Sequence, residues 1–174
     1  LTPAHALRLD GDDSTLEEPA ATLTSESLAP VVTTAIARWE QAGLSPALAS
    51  RLRSATVLID DLPGGNLGLA ATDVILIDAN AAGRGWFVDR SPFEDDEFSP
   101  SADGSSLLAR GDGPAAHRVD LLTVVEHELG HLLGLDDGGR SDISADLMAG
   151  TLEAGVRRLP SLDTLDSWLA GSIG

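Results

Sequence analysis

The chain has 174 residues, 43% of them hydrophobic, which suits one globular domain with its own core and argues against a disordered protein. Its 28 carboxylates outweigh 11 basic residues, all of them arginine, and the net charge of −17 argues against nucleic acid and anionic membranes as partners. The absence of cysteine excludes disulfides, thiolate metal ligands and a cysteine nucleophile.

Nothing in the sequence resembles a membrane segment. The chain opens without a basic stretch followed by an apolar one, and its apolar runs are far shorter than the roughly 20 residues of a membrane helix. We therefore expect no membrane insertion. Because the sequence begins with Leu1, we interpret it as part of a larger multidomain precursor. The acidic composition suits a secreted or cell-surface protein, and equally plain solubility.

Residues 1–25 are polar and acidic and predict a leader that precedes a domain at 26–174. Three interpretations of the leader stay open: a linker, a propeptide remnant, or a first strand around residues 6–9. The leader also suggests latency, in which Asp10, Asp12 or Asp13 takes the place of a catalytic water on a metal ion.

Two helices and three strands are predicted next. Apolar residues that recur every three or four positions predict a helix over 28–42 with Ser27 as its N-cap, and Ser45-Pro46 begins a short helix that ends near Arg53. The stretches 55–60, 67–71 and 73–78 are β-branched or apolar and are bounded by turn residues, so they predict strands.

Residues 80–118 are rich in Gly, Ser, Pro and Asp, and we expect little regular structure there apart from an apolar stretch at 86–88. A loop of this length is usually functional or pinned by bound ions. The acidic run at 94–97 is a candidate for a structural Ca²⁺ site, with a solvated acidic loop as the alternative.

The last predicted elements surround the most informative part of the chain. Asp120 is the expected N-cap of a helix over 121–133 with an apolar face. An irregular stretch over 138–160 and a terminal helix over 162–170 follow.

The predicted helix contains the pattern H-E-x-x-H-x-x-G-x-x-D, formed by His127, Glu128, His131, Gly134 and Asp137. Histidines four positions apart lie one above the other on a helix and can bind the same metal ion. A glycine lets the chain leave the helix with positive φ, and the aspartate that follows can supply a third ligand. Two imidazoles and a carboxylate indicate a catalytic zinc site that keeps one position open for water.

This donor set predicts hydrolysis by a metal-activated water. Glu128 is the expected general base, which accepts the proton of that water and later passes one to the leaving amine. Asp136 is the alternative third ligand, one position away from Asp137.

The extended motif and the methionine that follows it, Met148, resemble the metzincin clan of zinc endopeptidases. Within that clan, residues 28–39 and the Gly-rich stretch 64–70 are similar to the first helix and the edge strand of the matrixins. Aspartate as the third ligand resembles the snapalysins. The resemblance implies an α+β zincin fold: a twisted mixed sheet of four to five strands with an antiparallel edge strand, an active-site helix, and a C-terminal helix below the cleft.

The resemblance also implies roles for particular residues. Met148 would form the Met-turn beneath the metal, and a protein or peptide substrate would pair with the edge strand at Leu67, Gly68, Leu69 and Ala70. A second, structural zinc would involve His117. The chain has no tyrosine, so the tyrosine that several metzincins place after the Met-turn is missing. The alternative function is a non-catalytic zinc-binding module of a larger secreted or surface protein.

Overall fold

The structure, a computed structural model, describes residues 5–11, 20–137 and 147–161. Within these ranges the chain forms a mixed α+β fold with three helices and a five-stranded mixed sheet. The helices are α1 (Ser25–Gln41), α2 (Pro46–Arg53) and α3 (Leu121–Leu133). The expected α+β class is confirmed, whereas the helix expected at 162–170 lies outside the described residues. No helix within them has the length and hydropathy needed to cross a membrane.

Ten strands accompany the helices. They are β1 (His5–Leu9), β2 (Thr56–Asp60), β3 (Asn66–Ala71), β4 (Val74–Asp78), β5 (Trp86–Phe87), β6 (Phe98–Pro100), β7 (Leu107–Ala109), β8 (Val119–Asp120), β9 (Thr151–Leu152) and β10 (Val156–Arg157). The main sheet has the order β2-β4-β3-β1-β9, and two small sheets have the orders β10-β7-β6 and β5-β8.

The position of β3 in the main sheet differs from the expectation. The strand predicted at 67–71 is present, but its assignment as an edge strand is wrong. β3 pairs antiparallel with β4 on one side and with β1 on the other. The partner comes from the acidic leader, so residues 5–9 are the first strand that was one of its three interpretations. A strand's own sequence does not reveal whether its second edge is paired, and this partner is distant along the chain.

Helix boundaries agree with the predictions except at the start of α1. The N-cap is Thr24 and not Ser27, because the Thr24 side chain accepts a hydrogen bond from the Ser27 amide and the Ser27 hydroxyl accepts one from the Thr24 amide. This reciprocal capping box moves the start of the helix back by one turn. Ser45 and Asp120 cap α2 and α3 as predicted.

Residues 80–118 are more regular than expected, since they contain β5, β6 and β7. These strands are two or three residues long, too short for an alternating pattern to be recognised. The stretch is anchored at its beginning by the buried carboxylate of Asp78, which accepts hydrogen bonds from the amides of Leu62, Asn80 and Ala82. Side chains, and not a continuous ladder, therefore hold the start of this loop.

The core joins α1 and α3 to the inner face of the main sheet. Every residue of α3 except His131 is buried. The fully buried indole of Trp39 on α1 donates a hydrogen bond of 3.1 Å to the carbonyl oxygen of Glu126 on α3. This bond fixes the two helices against each other at the level of the predicted metal motif.

A buried ion network lies at the N-terminal end of α3. The guanidinium of Arg157, 0% exposed, pairs with the carboxylates of Asp120 at 2.8 Å, Asp89 at 2.9 Å and Asp95 at 2.9 Å. It also lies 4.3 Å from the ring centroid of Phe98. Burial acts to lower the pKa of Arg157, but the carboxylates of Asp120, Asp95 and Asp89 together outweigh burial and raise that pKa above its usual value. Arg157 thereby connects β10, the N-cap of α3 and the loop before β6.

We expect Arg157→Leu to lower the free energy of unfolding by about 3–5 kcal/mol, because it leaves two buried carboxylates without their cation. Urea denaturation followed by tryptophan fluorescence measures the change. Arg53→Leu is the control: it removes an exposed pair with Glu40 and should cost about 0–1 kcal/mol. Equal losses in the two variants would contradict a structural role for the buried network.

Candidate metal centre

The end of α3 brings the predicted ligands together. His127 and His131 lie one turn apart on the helix, and Gly134 ends it in the left-handed conformation with φ of 95°. A residue with a Cβ is strained in that conformation, so glycine is what allows the chain to turn back at this point. The turn returns Asp137 to the two imidazoles.

The three side chains converge on one point. The Nε2 atoms of His127 and His131 are 2.9 Å apart, and the Oδ1 atom of Asp137 lies 3.2 Å and 3.1 Å from them. Zn²⁺–ligand bonds of about 2.0–2.1 Å in a tetrahedron place ligand atoms about 3.3 Å apart. Among the described residues, this is the one group of three or more His, Cys, Asp or Glu side chains close enough to hold a metal ion. The predicted ligand set fits zinc in both chemistry and spacing.

Hydrogen bonds to backbone carbonyls orient both imidazoles. The Nδ1 atom of His127 lies 2.8 Å from the carbonyl oxygen of Leu147, and that of His131 lies 2.8 Å from the carbonyl oxygen of Leu135. A carbonyl oxygen only accepts, so each Nδ1 must carry the proton and each Nε2 must carry the lone pair. Both lone pairs and the Asp137 carboxylate therefore face each other, an arrangement that a cation stabilises.

The charge states of the group suit metal binding. Burial lowers the pKa of His127 below its usual value, which keeps its imidazole neutral. Asp137 is half-buried, and a carboxyl group that remains in contact with solvent is ionised at neutral pH. Neutral imidazoles and an ionised carboxylate are the forms that ligate a metal.

Glu128 lies beside this group and is completely buried. Its Oε1 atom accepts a hydrogen bond of 3.4 Å from the amide of Leu7 in β1, and its Oε2 atom has no hydrogen-bond partner among the described residues. Burial raises the pKa of Glu128 well above its usual value. Gly68 of β3 permits this placement, because a Cβ at that position would lie 2.5 Å from Oε1.

Met148 lies against Gly130 of α3, and its role in a Met-turn stays a prediction. Its side chain is buried, and a Cβ at Gly130 would lie 2.5 Å from its sulfur atom. Leu147, the residue before it, provides the carbonyl that orients His127. The turn that contains Met148 therefore orients the His127 imidazole through its backbone.

Other predicted site residues lie apart from this group. Asp136 and His117 are exposed and do not belong to it. The Asp10 carboxylate accepts a hydrogen bond from Thr151, and Asp12 and Asp13 lie outside the described residues, as does any latency through them.

In the acidic run at 94–97, the Asp95 carboxylate pairs with Arg38 and Arg157. A structural Ca²⁺ at this run stays a prediction.

The sequence did not indicate three contributors to the site. The carbonyls of Leu135 and Leu147 act through the backbone, which leaves no signature in residue type. The contact between Leu7 and Glu128 depends on a strand pairing that no local pattern predicts.

Comparison with protein-family models, with curated proteins and with solved structures found no match to this chain.

A second buried carboxylate, Glu126, precedes the metal ligands on α3 and stands apart from the metal group. Glu126 is 0% exposed, and neither of its carboxylate oxygens has a hydrogen-bond partner among the described residues. Burial raises the pKa of Glu126 well above its usual value, although Arg38 opposes the shift. The folded protein therefore holds a proton on Glu126 at pH values where the unfolded chain has lost it.

We expect replacement of Asp137 by alanine to weaken zinc binding by more than about 100-fold, because even changes that only touch a ligand cost about 10–100-fold. Asp136→Ala is the matched control and should leave the affinity unchanged. Competition with a chromophoric chelator measures both. The reverse ranking would make Asp136 the third ligand.

We expect Glu126→Gln to stabilise the protein relative to the wild type by more at pH 8 than at pH 5. A carboxyl group with a raised pKa contributes stability that is complete below the unfolded pKa and is lost as pH rises through the folded pKa. Glutamine does not titrate, so the variant avoids that loss. Urea titrations at the two pH values measure the difference, with Glu40→Gln at the surface of α1 as the control. A pH-independent difference would contradict the assignment.

Proposed function

We propose that the protein is a zinc-dependent endopeptidase of the metzincin type, similar to the matrixins, with His127, His131 and Asp137 as ligands and Glu128 as the general base. The observation that carries the proposal is the buried carboxylate of Glu128, the residue after His127 on α3, together with the three converging ligand atoms. A purely structural metal site has no use for such a base. The acidic composition suits action outside the cell.

The residues divide the chemistry between them. A bound zinc would lower the pKa of a water molecule toward ~7 and polarise the carbonyl group of a peptide bond. The two imidazoles and Asp137 would hold the ion, and three protein ligands leave a fourth position for water. The Leu135 and Leu147 carbonyls would keep the imidazoles in the ligating tautomer.

Glu128 would carry the proton. Its Oε2 atom, which has no hydrogen-bond partner within the described residues, would accept the proton of the attacking water. Burial raises the pKa of Glu128 and so makes its carboxylate a stronger base, and the same carboxyl would then deliver the proton to the leaving amine nitrogen. Because Gly68 has no side chain, the backbone of β3 would lie directly against the Glu128 carboxyl during the proton transfer.

The backbone of Leu67, Gly68, Leu69 and Ala70 would position the substrate as a neighbouring strand. In the structure β1 pairs with this side of β3, so a substrate takes this position only when β1 leaves it.

We expect Glu128→Gln to bind zinc like the wild type and to cleave casein about 10²–10⁴-fold more slowly, the usual contribution of a general base. Mass spectrometry of new peptide termini measures cleavage, and a chelator should abolish it. Glu126→Gln, a buried carboxylate on the same helix, is the control and should cleave like the wild type.

Equal rates for Glu128→Gln and the wild type would refute the role of Glu128. A protein that holds zinc but cleaves nothing, with β1 in place or displaced, would instead be the non-catalytic binding module.

A further inference from the structure

β1 lies in the gap between β3 and β9. It runs antiparallel to β3, with Leu7 opposite Gly68, and parallel to β9, with Arg8 opposite Thr151. A bulge between Leu7 and Arg8 changes the register at the point nearest to Glu128. Without β1, both β3 and β9 would present unpaired backbone groups toward the same gap. Two facing edges of this kind form a cleft for one extended peptide.

The backbone of β1 is bound from both sides of that gap. The amide of Arg8 donates a hydrogen bond of 3.0 Å to the carbonyl oxygen of Gly150, and the amide of Leu9 donates one of 3.0 Å to that of Gly65. Consecutive residues therefore bind opposite walls. Backbone bonds of this kind recognise any extended chain and leave selectivity to side chains.

Leu7 is the most deeply buried of residues 6–9. Its side chain is 0% exposed, whereas Arg8 is exposed and Ala6 is half-buried. Its amide donates to Glu128 Oε1 at 3.4 Å, so the bond between Ala6 and Leu7 lies beside the proposed general base. A peptide bond at this place has the nitrogen to which Glu128 would deliver a proton.

We propose that β1 is an internal ligand of a peptide-binding cleft formed by β3, β9 and Glu128, and that its displacement admits an extended peptide with a leucine-sized apolar residue at the Leu7 position. This inference rests on the proposed peptidase function and adds the regulation and selectivity of that site. It differs from latency through an aspartate on the metal, because the backbone of β1 and the Leu7 side chain occupy the cleft.

The charge of the chain adds a second element of selectivity. Arg8 is the one basic residue of β1, and its guanidinium donates a hydrogen bond of 2.8 Å to the carbonyl oxygen of Gly64. The protein as a whole carries a net charge of −17. A peptide with a basic residue after the apolar one therefore gains both a hydrogen bond and long-range attraction.

To test this proposal, the full chain is produced and folded first, and β1 is then cut from the rest of the protein. A recognition sequence for a site-specific endoprotease is inserted between Ser14 and Thr15, and a fluorophore is attached to the amino group of residue 1. The Glu128→Gln background prevents hydrolysis of the peptide during the binding measurements. After the cut, excess unlabelled peptide of residues 1–14 is added, and fluorescence anisotropy follows the release of labelled β1 with and without zinc.

We expect labelled β1 to be released and to rebind. A Leu7→Ala peptide should compete at least about 10-fold more weakly than the wild-type peptide, as the loss of buried apolar surface requires. An Arg8→Lys peptide keeps the charge and should compete within about threefold of the wild type. β1 that is not released in excess competitor, or equal competition by the Leu7→Ala peptide, would overturn the proposal.

A second arm uses the same insertion with Glu128 intact. We expect casein cleavage to rise at least about 10-fold after the cut and to fall again when the peptide is added back. Release of β1 without a rise, in a protein that already cleaves casein, would overturn β1 as an inhibitor. Release and rebinding in a zinc-loaded protein that never cleaves would refute the peptidase function and leave the peptide-binding cleft in place.

Discussion

The structure depends on the burial of a helix that carries titratable groups. α3 is enclosed on almost all sides, yet it places Glu126, His127 and Glu128 in succession inside the protein. Buried polar groups are costly unless they are hydrogen-bonded or neutralised, so the surroundings of α3 must supply partners. The Leu147 carbonyl accepts a hydrogen bond from His127, and the Leu7 amide donates one to Glu128. The turn that contains Met148 and the first strand are therefore tied to buried side chains of the same helix.

Local signals explain how much of the fold could be predicted from the sequence. The apolar repeats, Ser45 and Asp120 as caps, and Gly134 as a stop act within one or two turns, and they gave α2 and α3 their correct limits. The features that the sequence did not predict are pairings between residues far apart along the chain. β9 is two residues long and pairs with β1 across most of the chain, and no periodic pattern exists in so short a segment. β3 lies inside the sheet because it pairs with β1, which is also far from it along the chain.

The candidate site likewise has a part that the sequence predicts and a part that it does not. His127, His131 and Asp137 converge because helix geometry and a single glycine turn place them together, so their spacing alone predicted the group. The reading of Asp137 in preference to Asp136 agrees with the placement of the two carboxylates. The burial of the Glu126 carboxyl group could not be predicted. A glutamate next to a metal motif has the same sequence signature whether it is buried or solvated. The packing of α1 against α3 and the charged groups at the N-terminal end of α3 determine that environment.

Gly68 connects the sheet to the proposed chemistry. Because it has no side chain, β3 approaches Glu128 closely, and the next strand in the sheet then contacts Glu128 through its backbone. Backbone hydrogen bonds do not distinguish β1 from another extended chain, so the two compete for one position. A tethered segment has an effective concentration in the millimolar range for a short flexible connection. A free peptide of equal intrinsic affinity therefore displaces β1 only at comparable concentration, and severing the tether is what removes this advantage.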